Sequence, residues 1–386
     1  MSRRCTQQLA SPSWPRLLGL LPIACALCVV ACGSDRAQPK SGNTACAGCA
    51  GSAGGGDAGA SDPFANVPAC LHVITTIEGT NPYLYTVSWS PNSDFVLSGT
   101  SGEVRLTEVD TAAGSLTQVA ATSAQPNQTY VQFSPDGQFA LSASTDVRLL
   151  AIGTAPPSIS GLALYDGNMG HSYALAWSPD GSHALIGCED GTVRLLRVHT
   201  DTPGLEERAI FAGHTDRVFG VAWSPDGSHA LSVGIDRSVR LLAVDLDAPS
   251  VTELASATDT DWESVVSWGS NDTPVLSGTW GYRNALQTWT IAPDFTSITL
   301  KSERLGQTPG MQVIEWSRDR ARLITAEHED TLHLFSRSQM DLNPIGVLGA
   351  HYTGVHAVAW SPDDAFLAVA SSHGDILSLV DVRGCN

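Results

Sequence analysis

The run Val218-Phe219-Gly220-Val221-Ala222-Trp223 passes straight into Ser224-Pro225-Asp226-Gly227, and a second apolar run follows at 229–233. Short apolar runs bounded by turn residues read as strands. In the turn, Pro225 presets φ, Asp226 bonds back to the backbone, and Gly227 supplies a positive φ. Asp236-Arg237-Ser238 turns the chain again before a third strand at 239–244, and 251–255 makes a short outer strand. The stretch predicts a four-stranded antiparallel meander.

The same phrase returns along the chain. It stands as Trp89-Ser90-Pro91-Asn92, Phe133-Ser134-Pro135-Asp136-Gly137 and Trp177-Ser178-Pro179-Asp180-Gly181 before the copy at Trp223. It weakens at Trp268-Gly269-Ser270-Asn271, becomes Trp316-Ser317-Arg318-Asp319, and ends at Trp360-Ser361-Pro362-Asp363. The aromatic-to-aromatic steps are 44, 44, 46, 45, 48 and 44 residues. Seven copies at that spacing fit the roughly 40–45 residues of a four-stranded propeller blade. The expected fold is all-β, a seven-bladed propeller over 70–386.

Composition agrees and narrows the function. With 42% hydrophobic and 16% charged residues, 36 Gly and 21 Pro, the 386-residue chain is neither disordered nor a coiled coil nor a polytopic membrane protein. Its formal charge is −18, from 39 acids and 21 bases. A nucleic-acid binder needs a cationic footprint, which this balance does not offer. The same charge disfavours direct adhesion to anionic lipid.

On these residues the chain resembles the WD40-repeat family over roughly 70–385. The Gly-His pair nine residues before the aromatic stands as Gly213-His214; His351 keeps the register behind Ala350, and Gly170-His171 is out of register by three. The Trp-Asp pair that names the family is replaced by Leu196-Arg197 and Leu242-Ala243, while Trp289 keeps its Trp and Asp381 its Asp. Other seven-bladed propellers, bacterial lactonase-like proteins among them, also carry Ser-Pro-Asp-Gly turns and stay open as relatives. The resemblance implies a structural hydrogen bond between His214 and Asp236, joined by Ser232, with His351 in the matching place in blade seven. It also implies that the segment at 71–77 supplies the missing outer strand of the last blade, against the strand at 376–382. Cys70 and Cys385 then lie at neighbouring ends of an antiparallel pair, whose strands run about 4.8 Å apart, within disulfide reach. A Cys70–Cys385 disulfide is expected to staple the ring, with a chain-entropy ceiling near 5 kcal/mol.

The chain before the propeller reads as an address. Arg3, Arg4 and Arg16 precede an apolar run at 17–31, a secretory signal too short and wrongly flanked to span a membrane. Val29-Val30-Ala31-Cys32 resembles the lipobox of bacterial lipoproteins, which implies cleavage after residue 31 and diacylglycerol on Cys32; an ordinary signal peptide cut elsewhere is the other reading. Gly33 after the Cys favours the outer membrane under the enterobacterial sorting rule. Residues 32–69 are then a lipidated, flexible linker: nineteen of the thirty residues at 33–62 are Gly, Ala or Ser. Cys46 and Cys49 in it pair locally or play no part, and Cys188 is expected as a buried free thiol.

Catalytic signatures are scarce: no P-loop, no Gly-x-Ser-x-Gly elbow, no His-Glu-x-x-His, no dinucleotide fingerprint. The recurring Asp136, Asp180, Asp226, Asp319 and Asp363 read as turn residues rather than a ring of acids. Glu327-His328-Glu329-Asp330 with His373 reads better as solvated turn residues than as a metal site. No cofactor, metal or nucleic acid is expected. Two function classes remain: a non-catalytic scaffold binding an envelope protein or peptide and touching membrane only through its lipid, or a lactonase-like hydrolase with a metal or polar site in the central channel. Blade five carries the candidate binding patch. Asp259, Asp261, Trp262 and Glu263 replace its Gly-His loop, and the turn between its second and third strands grows to Thr279-Trp280-Gly281-Tyr282-Arg283-Asn284. Trp262, Trp280, Tyr282 and Arg283 match residue types enriched at hot spots, with Arg283 in reach of Asp261. The alternative is that Trp262 and Trp280 fold down to cap a poorly packed blade.

Overall fold

The computed structural model describes Val67 and residues 70–79, 83–124, 127–258, 261–269, 275–279, 285–305, 310–327, 331–338, 341–349, 354–371 and 375–385. The signal, Cys32, Cys46 and Cys49 lie outside these residues. Twenty-eight strands form seven four-stranded antiparallel sheets, with no helix among the described residues. Blade four is typical: Val218–Trp223, His229–Gly234, Ser238–Asp245 and Ser250–Thr258 pair in order. Its outer strand is nine residues long, not the short piece expected at 251–255. Outer strands lean one face on their own blade and leave the other in water, so they alternate exposed and half-buried residues and carry no apolar run to mark their length. The second strands are the opposite case. Phe95–Thr100, His183–Cys188 and Phe366–Ser371 are buried at every position, being covered on both sheet faces.

The hydrophobic core is divided among the interfaces between blades. Seven buried clusters each draw on two neighbouring blades. Leu185 and Leu195 of blade three meet Val221, Trp223 and Leu242 of blade four, for example. Leu84 and Trp89 of blade one meet Phe366 and Leu377 of blade seven, so the ring is closed.

Closure uses the first strand of the domain. His72–Glu78 pairs antiparallel with Ile376–Asp381 as the outer strand of blade seven, one residue along from the expected bounds. Both ends of this strand are tied. A disulfide joins Cys70 to Cys385, with Cα atoms 5.1 Å apart. At the other end Gly79 N donates to Asp375 O (2.9 Å), and Arg105 of blade one reaches Asp375 Oδ2 across the seam (2.8 Å). Cys188 is a buried free cysteine.

The Ser-Pro-Asp-Gly phrase is explained by one hydrogen-bond pattern. The serine hydroxyl donates to the carboxylate two residues on, at 2.6 Å for Ser134–Asp136 and Ser224–Asp226 and 2.5 Å for Ser178–Asp180. Ser317–Asp319 and Ser361–Asp363 repeat it, and Ser90–Asn92 is the amide version. The serine oxygen then accepts from the amide five residues on, as from His229 at 2.9 Å. Gly137, Gly181 and Gly227 close the turn with φ of 74°, 72° and 72°. The recurring aspartates are therefore committed to the turns. The Ser224 hydrogen bond holds the Asp226 carboxyl below its usual range, and at Asp180 the bonds from Ser178 and Ser182 outweigh the upward push of burial.

Candidate functional site

In blades three and four the inner strand enters from the loop that follows the previous outer strand and ends in the Ser-Pro-Asp-Gly turn. The loop between second and third strands emerges beside the entry loop. Blade four shows the link directly: His214, on the entry loop, places Nδ1 3.0 Å from both oxygens of Asp236 on the other loop, and Nε2 2.7 Å from Ser232 Oγ. A carboxylate only accepts, so Nδ1 carries the proton. Burial pushes Asp236 up, but the bonds from His214 and Ser238 dominate and hold its carboxyl well below the usual range. Both side chains are almost fully buried. The cluster is a clasp between two loops, and it leaves no open position for a substrate.

Blade five has lost the His but keeps another part of the arrangement. Ser277 occupies the register of Ser232, and Trp289 Nε1 donates to its hydroxyl at 2.8 Å. The sequence reading noted Trp289 as retained without foreseeing this partner. A second pattern recurs on the third strands. Arg105, Arg148, Arg194 and Arg240 hold one position on the third strands of blades one to four, opposite Ser98, Ser142, Ile186 and Ser232. Each pairs with acids: Arg105 with Glu103 and Asp375, Arg148 with Asp146, Arg194 with Asp190 and Glu207, Arg240 with Asp236 and Glu253. The repeated Val-Arg-Leu was the available signal; the partners lie on loops and outer strands that only the register brings together.

The entry loops carry the exposed aromatics. Trp262 stands six residues before Trp268, and the same register holds Tyr83, Asn127, His171, Arg217, Gly310 and Gly354. Two residues further in stand Tyr85, Thr129, Tyr173, Phe219, Ser264, Gln312 and His356. These two tiers meet across blade boundaries. Tyr173 packs edge-on against Phe219 with centroids 4.8 Å apart, and Tyr85 edge-on against His356 at 5.9 Å. Tyr83 leans on Tyr85, and His171 on Tyr173. Arg217 lies 5.9 Å from the Tyr173 ring centre and pairs with Glu189 at 3.1 Å. Burial, then the nearby Glu189 charge, push the Tyr173 hydroxyl up. Tyr83 is 42% and Trp262 50% exposed. Its backbone N–H donates to Asp261 Oδ1 at 2.9 Å, and Asp261 itself is buried. Trp280, Tyr282, Arg283 and His351 lie outside the described residues, as do His328, Glu329, Asp330 and His373.

Comparison with protein families completes the picture. The model of the WD domain, G-beta repeat, matches 71–107, 164–196, 205–241 and 342–377. This is a seven-bladed propeller of WD40 repeats. Each matched segment begins in the outer strand of one blade and runs through the first three strands of the next, so WD40 repeat and structural blade are offset by one strand. The segment 71–107 starts with the strand that closes blade seven, which is how the offset is resolved in the ring. A search of curated proteins finds no match.

Proposed function

We propose that the chain is a non-catalytic WD40 lipoprotein of the bacterial envelope, anchored through Cys32, whose propeller binds a protein or peptide on the entry-loop face. A WD40 propeller is a fold consistent with a protein-interaction scaffold. The observation that carries the reading is the two-tiered aromatic rim: Tyr83 and Trp262 in water, Tyr85, Tyr173 and Phe219 half-buried behind them. Large amphipathic rings on a rigid support are the residue type that dominates binding energy at interfaces. Trp280, Tyr282 and Arg283, outside the described residues, are proposed as part of the same patch from their place in the sequence of blade five. The signal-like segment and lipobox at 1–32 support the envelope address.

The lactonase-like alternative needs several carboxylates or imidazoles converging in the channel. The inner-strand positions next to the turn carry Ser88, Gln132, Ala176, Ala222, Ser267, Glu315 and Ala359, a single acid in seven. That donor set favours the scaffold. The test is Tyr83→Ala with Trp262→Ala in the full chain, followed by thermal melting and capture from detergent-solubilised envelope. Melting within about 1 °C of the parent and loss of at least one specifically captured protein are expected, since exposed residues contribute little to stability. Unchanged capture would refute the rim as the binding face. Cys32→Ser is expected to abolish incorporation of labelled fatty acid, and persistent incorporation would refute the anchor.

A further inference from the structure

The opposite end of the channel, where the Ser-Pro-Asp-Gly turns gather, holds a cavity of about 710 Å³ walled by inner strands of blades one, two, three, six and seven. Pockets of roughly 300–1,000 Å³ suit small ligands. The seven repeats act as an internal control on its lining, and the charged residues that line it, Glu315, Arg318 and Arg320, all come from blade six. Next to the turn, Glu315 stands where the other blades have Ser88, Gln132, Ala176, Ala222, Ser267 and Ala359. Arg318 takes the place of Pro91, Pro135, Pro179, Pro225 and Pro362. Arg320 takes the place of Gly137, Gly181 and Gly227, in the left-handed region at φ 58°, as Ser93 and Asp364 do in blades one and seven at 68° and 56°. A non-glycine residue there costs on the order of 1 kcal/mol. None of the three is needed to make the turn, because Ser317 and Asp319 form it as elsewhere, with Ser317 Oγ 2.6 Å from Asp319.

These groups are fixed by their neighbours. Asp364 of blade seven accepts from the backbone N–H of Arg318 (2.6 Å) and of Asp319 (3.0 Å), holding the altered turn from the side. Trp360 Nε1 donates to the Glu315 carbonyl at 3.1 Å. Arg320 bonds the Trp268 carbonyl of blade five at 3.3 Å. The Glu315 side chain is exposed to the channel and lines the cavity. Burial pushes its carboxyl up to about 7, against the opposing pull of Arg320. The cavity thus presents the Glu315 carboxyl together with the Arg318 and Arg320 guanidinium groups, and Trp89, Trp177 and Tyr130 also line it.

A lone cation would be repelled by Arg318 and Arg320, and a lone anion would leave Glu315 without a cationic ligand group to pair with. We propose that this cavity binds a small zwitterion, a free amino acid or short peptide, with its ammonium on Glu315 and its carboxylate on Arg318. The site is independent of the aromatic rim at the other end of the channel.

Titration calorimetry of the full chain at pH 7.5 tests it with trialanine, N-acetyl-trialanine, trialanine amide and free alanine. Trialanine or alanine should bind saturably at one site per chain, and either cap should weaken trialanine at least tenfold. Alanine binding as tightly as trialanine assigns the site to free amino acids; trialanine tenfold tighter assigns it to peptides. Glu315→Ala, the residue of blades three, four and seven, should make acetylated and free peptide bind alike. Arg318→Gln should make amide and acid bind alike; Gln keeps the N–H that Asp364 accepts, which Pro would remove. No saturable binding of either zwitterion up to millimolar concentration, or capped peptides binding the parent as well as uncapped ones, overturns the proposal. The capped-peptide comparison decides even if a variant fails to fold.

Discussion

Replacing Cys70 and Cys385 by Ser removes a cross-link that spans 315 residues. In the chain-entropy model a closed loop of that size restricts the unfolded chain by about 19 cal/mol/K, or about 5.7 kcal/mol at 25 °C. The real denatured chain is more compact than a random coil, so about 2–4 kcal/mol is the expected loss. A propeller of roughly 310 residues unfolds with an entropy near 0.65 kcal/mol/K at about 2.1 cal/mol/K per residue. The double variant should therefore melt about 3–6 °C lower. The packing around the bridge is conserved by Ser only in part, since both sulfurs sit in the buried cluster of Leu71, Leu332, Leu334 and Val382. The assay is calorimetric melting of the parent and the double variant, each with and without a thiol reductant. Reductant should bring the parent down towards the variant and leave the variant unmoved. A parent and variant melting within 1 °C of each other under oxidising conditions would refute the staple as a contributor to stability.

Asp236→Asn should cost about 2–4 kcal/mol, because it strips a buried imidazole of its charged acceptor. As the folded carboxyl lies below its usual value, the stabilisation is fully present above about pH 4 and is lost as pH falls through the lower folded value. Denaturant midpoints of parent and variant measured from pH 7 down to pH 2 should converge at the acid end; a constant gap would contradict the assignment. Burial pushes the Cys188 thiol up to about 12. Iodoacetamide at pH 8 should leave Cys188 unmodified in the native chain and alkylate it fully in denaturant, read by peptide mapping; rapid native alkylation would place the thiol at the surface.

The fold was legible because a propeller writes its period into the chain. Each inner strand must end against the channel in an aromatic and turn at once, so the Trp-Ser-Pro-Asp-Gly phrase recurs wherever the geometry does. His214 and Asp236 were legible for the same reason, as a fixed pair of loop positions. Outer strands were underestimated because no apolar run marks a half-exposed edge, and Ser250–Thr258 shows only alternation. The acid partners of the Val-Arg-Leu arginines were hidden because Arg105 meets Asp375 from the far end of the domain. Trp316-Ser317-Arg318-Asp319 stands in the sequence as one more variant of the phrase. Only the register, which turns Glu315 and Arg318 towards the channel cavity, gives that departure a chemical sense.

The strand that closes the ring precedes every blade in the chain, and its partner, Ile376–Asp381, comes after all the others. Blades one to six complete themselves from neighbouring hairpins. Blade seven cannot, and until His72–Glu78 arrives its third strand is an open edge with every pairing group on offer. Closure is therefore the pairing of greatest sequence separation in the described sheets, the kind of contact that carries the largest loop-closure cost. In a crowded solution of half-folded chains, the free strand of one copy fits the vacant edge of another with the same register and the same cysteine. Such an exchange keeps every contact described above while linking two molecules, so domain-swapped dimers are the characteristic misassembly this topology carries.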